Sequence, residues 1–187
     1  EDCQSVIYRN GAADFALETA DVASIAFEAF GALIVTGTAL AVEPSRAATL
    51  LAMARARAAR VPVILDVDYR PYSWASAAEA EATCRDAAQR ADIVIGNDLE
   101  FDVMAGGAGG RDLAGRLAAH GTTVVYKMGE NGSVSFADGQ SFETPVFAVT
   151  ALKPTGAGDA FMAGVVTGLA EGLGLAAAVR RGAAAAD

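Results

Sequence analysis

The clearest chemical signal in the chain is Gly156-Ala157-Gly158-Asp159, running directly into Ala160-Phe161-Met162-Ala163-Gly164. Two glycines at a helix start let backbone N–H groups converge where the helix dipole already favours negative charge. That arrangement cradles a phosphoryl group. An aspartate in the first turn stays ionised there and accepts a hydroxyl proton while the amides hold the transferring group. The same residues also suit a plain tight turn with an acid stabilising the helix start, and the motif alone leaves both uses open. Polar groups gather at three other points: Asp66-Val67-Asp68-Tyr69-Arg70, Asn97-Asp98-Leu99-Glu100, and Lys127-Met128-Gly129-Glu130-Asn131-Gly132. Alternate residues of a strand share a face, so Asp66, Asp68 and Arg70 point the same way if extended geometry persists through them. Singly, each cluster has a structural use, with Asn97 or Asp98 capping a helix and the glycines forming turns.

Other chemistries are excluded. A phosphate loop of the Gly-Lys-Ser/Thr kind is absent, since neither Lys127 nor Lys153 follows a glycine. The glycines at 106–110 do not fit a dinucleotide G-x-G-x-x-G fingerprint. The single histidine, His120, sits in Ala-Ala-His-Gly, the usual ending of a helix, and a His/Cys zinc site lacks ligands. Cys3 and Cys84 are isolated, which fits a reducing compartment and no disulfide framework.

The elements that must position these groups follow from periodicity. Apolar runs at 32–37, 61–67, 92–96 and 122–128 alternate with helical segments at 45–59, 77–90, 98–104 and 111–119. Continuous apolar strands alternating with helices predict a doubly wound α/β fold, its mainly parallel sheet covered on both faces. After Lys127 the pattern becomes antiparallel, with strands at 133–137 and 142–149 about the turn Asp138-Gly139. A helix from the Gly156 motif to about residue 169 follows. A further strand is expected at 5–9, and an Ala-rich helix at 183–186. In open α/β sheets ligands sit beyond the carboxyl ends of the strands, where all three polar clusters fall.

The chain has 187 residues, 53% hydrophobic and 20% charged, which suits one globular domain over 1–187 and rules out disorder. Its net charge of −9 makes nucleic acid and anionic lipid poor partners, so any anion site is local. The longest uncharged stretch, 29–42, is too short for the roughly 20 apolar residues of a membrane span. With no basic leader, the expected location is cytoplasmic. The start at Glu1 and the stop within alanines read as cuts.

The stretch Lys153-Pro154-Thr155-Gly156-Ala157-Gly158-Asp159-Ala160-Phe161 resembles the C-terminal signature of the ribokinase-like (PfkB) carbohydrate kinases, and the similarity runs in order along essentially the whole chain. The resemblance implies a ribokinase-like α/β core, with the antiparallel hairpin near the nucleotide, and ATP and Mg2+ as cofactors. It makes Asp159 the base and the amides of Gly156, Ala157 and Gly158 the anion hole. Asn97 and Glu100 match the family's Asn-x-x-Glu and would serve the metal, while Lys127, Gly129, Gly132 and Thr155 would serve the nucleotide. Tyr8-Arg9-Asn10-Gly11-Ala12-Ala13-Asp14 and Asp66-Val67-Asp68-Tyr69-Arg70-Pro71 look most like members acting on a keto-sugar acid. Arg9, Asp68 and Arg70 then become candidate substrate residues, with arginine gripping the carboxylate. Another sugar-acid or ketose kinase, or a non-catalytic nucleotide- or sugar-binding module, stays open. The resemblance also implies that an N-terminal third and the last helices are missing, and it leaves open a homodimer through that missing lid. Many members carry an Asp six residues before the base that helps bind a monovalent cation. Here that position is Lys153, whose own charge is expected to make potassium unnecessary.

Overall fold

The computed structural model describes residues 11–147 and 156–186. Six strands, β1 (Leu33–Thr36), β2 (Val63–Asp66), β3 (Ile93–Asn97), β4 (Thr123–Lys127), β5 (Ser133–Ala137) and β6 (Gln140–Thr144), lie in the sheet in chain order. β1 to β4 are parallel, and β4, β5 and β6 pair antiparallel. All four residues of β2 are buried, which is why Val63, Ile64 and Leu65 read as an apolar run. Among these buried residues is Asp66, at its carboxyl end.

Alternation along the strands splits the core in two. Val63, Leu65, Val94 and Val124 pack with buried residues of α2 (Ser45–Ala58), α3 (Ala77–Arg90), α4 (Asp98–Met104) and α5 (Gly110–Ala119). Ile64, Ile95 and Val125 face the other way, onto Phe161, Met162 and Val165 of α6 (Ala157–Ala170) and Ala178 and Val179 of α7 (Leu175–Ala186). Burying a side chain such as Phe161 or Val165 is worth about 1.5–3 kcal/mol. This apolar seam fixes α6 against the three central parallel strands.

Most elements fall within a residue or two of the expected ranges, and α3 and α4 match them end for end. His120 caps α5 as expected, its Nδ1 lying 2.8 Å from the Arg116 carbonyl. The strand expected over 142–149 stops at Thr144, because Pro145 cannot continue the ladder. The five-residue helix α1 (Thr19–Ala23) was not expected. Its start is held by a reciprocal pair of hydrogen bonds between Glu18 and Asp21, too local to show in periodicity. α7 extends well before the alanines at 183–186. The strand expected at 5–9 lies outside the described residues. Among the described residues no helix is long and apolar enough to cross a membrane.

Candidate active site

Asp66, paired in register with Thr36 and Ile95, is 9% exposed. Burial pushes its carboxyl up from 3.8 to about 6; the Lys127 charge opposes that rise, while Glu100, Asp68 and Asp159 add to it. Groups from four chain segments therefore share one electrostatic neighbourhood: the ends of β2, β3 and β4, and the first turn of α6. Beside burial, the causes acting on the Asp66 carboxylate there are these charges.

Asn97 and Glu100 form a reciprocal cap at the start of α4. The Glu100 amide donates to Asn97 Oδ1 at 2.9 Å, and the Asn97 amide donates to Glu100 Oε2 at 2.7 Å. Glu100 is 5% exposed, and its Oε1 accepts from the Tyr69 amide at 3.2 Å. Burial raises its pKa, opposed by the Asn97 hydrogen bond, the Lys127 charge and the Tyr69 hydrogen bond; the Asp68 charge adds to the rise. One carboxylate thus joins the end of β3 to the loop after β2.

Lys127 ends β4 beside Asn97 on one neighbouring strand and Ser133 on the other. Its Nζ sits 5.7 Å from the centroid of the Phe161 ring. The next turn runs through Gly129 to Gly132, where φ is +78° and an added Cβ would lie 2.3 Å from the Thr144 carbonyl oxygen. Only glycine allows β5 to leave that turn so close to the end of β6. Gly156 precedes α6 in the left-handed conformation, with φ +89°. Asp159 is exposed in the first turn of α6, and a Cβ at Gly158 would lie 3.8 Å from Lys127 Nζ.

Asp68 adopts φ +34°, so the chain turns out of the extended path after β2, and the alternation expected through Arg70 is not kept. Asp68 is instead held by Arg70 at 2.7 Å and accepts from the Thr38 hydroxyl at 3.3 Å. Arg9, Lys153 and Thr155 lie outside the described residues.

These residues fit a cation held in part by phosphate oxygens rather than a ready metal cage. Among the described residues no group of three or more acidic, His or Cys side chains could hold a metal ion. Magnesium is commonly bound by one or two carboxylates plus phosphate oxygens and water. A buried carboxylate such as Asp66, destabilised by burial and by three like charges, is a group that a cation would relieve. Sequence reasoning placed Asp66 at this strand end without giving it a role; the signal was an acid at the end of an otherwise apolar run. Phe161 was also missed, because a core aromatic looks like any other in sequence. A cavity of about 680 Å3, lined by Arg85, Arg116, His120 and Thr122 among others, lies away from these groups, where Thr122 precedes β4.

The whole chain, residues 1–187, matches the model of the pfkB family carbohydrate kinases. A 5-dehydro-2-deoxygluconokinase of Photobacterium profundum is 43% identical over 192 residues, covering 99% of this chain and 58% of that protein. The crystal structure of a PfkB protein from Polaromonas sp. JS666 superposes with a TM-score of 0.79 at 30% identity, over 95% of this chain and 59% of that one. Fructokinase from Vibrio cholerae O395, in its fructose-, ADP- and calcium-bound form, gives a TM-score of 0.74 at 26% identity, over 91% and 56%. The chain spans less than two thirds of each of these proteins. By sequence along its full length and by fold, it belongs to the pfkB family of carbohydrate kinases.

Proposed function

We propose that the protein containing this chain transfers the terminal phosphoryl group of ATP to a hydroxyl of a keto-sugar acid, 5-dehydro-2-deoxy-D-gluconate. The observation that carries this reading is the place of Asp159. It stands in the first turn of α6, behind the left-handed Gly156, and shares a field with Asp66, Glu100 and Lys127. Asp159 takes the proton as the sugar oxygen bonds to phosphorus and the bond from phosphorus to the ADP oxygen breaks. The amides of Gly156, Ala157 and Gly158 hold the transferring group, and Lys127, Gly129, Gly132 and Thr155 hold the nucleotide. Asn97 and Glu100, with Asp66, would hold Mg2+, which supplies charge neutralisation of the phosphates when bound. Arg9, Asp68 and Arg70 read the sugar acid.

A ketose is the second reading, favoured by the ion pair between Arg70 and Asp68, which leaves less positive charge for a carboxylate. The full-length protein assayed with ATP and each of 5-dehydro-2-deoxygluconate, 2-keto-3-deoxygluconate and fructose tests both. The highest kcat/KM is expected with the first. Equal or better turnover of fructose would overturn the acid assignment, and no turnover of any would overturn the kinase.

Arg70→Leu is expected to raise KM for the acid about tenfold while moving KM for its neutral carboxamide analogue by less than about threefold. Charge-assisted contacts reach about 1.5–3 kcal/mol, and the half-exposed setting of Arg70 argues for the lower end. Equal losses with both compounds would show that Arg70 does not read the carboxylate.

A further inference from the structure

Lys127 is the one lysine among the described residues, and no carboxylate among them lies within ion-pair distance of its ammonium. Arg46, Arg70, Arg85, Arg90 and Arg181 all pair with carboxylates. Lys127 makes no hydrogen bond or ion pair with any described residue. Its Nζ instead faces the Phe161 ring at 5.7 Å, within the range at which an aromatic face attracts a cation. The ring is 5% exposed, locked in the seam between α6 and the sheet, so it is a rigid platform.

A lysine ammonium has three donors and no acceptor. A carboxylate partner would occupy those donors and cancel the charge, whereas a ring face attracts the cation and takes neither. Phe161 also lies one turn along α6 from Ala157, so the helix that offers its first amides to an anion carries the platform as well. The ammonium is thereby held beside Gly158, with no N–H group spent on a described residue.

We propose that Phe161 is a positioning residue for phosphoryl transfer: its ring holds the Lys127 ammonium at the start of α6 with all three donors available to the phosphates. This rests on the kinase reading above, so the test separates the two. The probe is inorganic pyrophosphate, its dissociation constant measured by calorimetry on the full-length protein. Phe161→Leu is expected to weaken pyrophosphate about tenfold, with a range of roughly 2- to 30-fold for a cation–ring contact. Phe161→Tyr, which keeps the ring, holds binding within about twofold of wild type. In a Lys127→Met background the Leu substitution adds less than about twofold, because the contact is already gone. Phe161→Met, whose flexible unbranched side chain fills an irregular space better, replaces the Leu variant if that protein does not fold. An equal loss with and without Lys127 would make Phe161 merely structural and overturn the proposal. Unchanged binding in Phe161→Leu also overturns it and leaves the kinase reading standing, whereas a wild-type protein that binds no pyrophosphate overturns both.

Discussion

Asp159→Asn will lower phosphoryl transfer by about 10²–10⁴ and leave ATP affinity within about twofold. The amide has nearly the shape of the acid but cannot accept the hydroxyl proton. The helix-start amides and Lys127 are untouched, so nucleotide binding should be kept. The exposure of Asp159 supports the separation: a solvated side chain can be exchanged without opening the core. Single-turnover transfer and nucleotide titration on the same full-length variant measure the two quantities. A variant keeping more than about a tenth of wild-type transfer would show that the base lies elsewhere.

Asp66→Asn will make the protein more stable at pH 7.5 and no more stable near pH 4. The folded-state value of about 6 lies above the unfolded 3.8, so the folded protein binds the extra proton between those limits. Below about pH 4 both states are protonated and burial costs nothing extra. Stability then falls as pH rises through 4 to 6, and above 6 the penalty is complete. Two pKa units correspond to about 3 kcal/mol, a net figure in which the attraction of Lys127 is already counted. At about 2–4 °C per kcal/mol for a chain of this size, the melting temperature should rise by roughly 6–12 °C at pH 7.5. Thermal scans at the two pH values check this. A variant less stable than wild type at pH 7.5 would mean that the buried charge is already compensated. The stabilised variant should also be a poor kinase, since the destabilised carboxylate belongs to the site.

How much of this was legible in sequence depended on range. α3 shows in sequence because its apolar positions recur at helical spacing; the structure adds a cap, the Ser76 hydroxyl accepting from the Glu79 amide. The parallel core shows because the middles of β2 to β4 are continuous apolar runs that turn polar only toward their ends. Asn97 and Glu100 could be read both as a cap and as a metal motif, and the cap geometry is present alongside the burial of the acid. The direction of Asp68 was not legible, because a left-handed aspartate looks like any other in an extended run. Nor was the partnership of Lys127 with Phe161, which are 34 positions apart and meet only when α6 folds back across the sheet. Periodicity reports what one element does with its own neighbours. A cation resting on a ring from another layer leaves no periodic trace.

The two hydrogen bonds of Glu100 tie two chain segments to one side chain. One oxygen holds the Asn97 amide at the helix start, and the other holds the Tyr69 amide, immediately before Arg70. A pull on that carboxylate from the Asn97 side would therefore be felt at the segment bearing Arg70. On the kinase reading proposed above, nucleotide and sugar acid would be coupled through this one carboxylate, each changing the other's equilibrium affinity by the same factor.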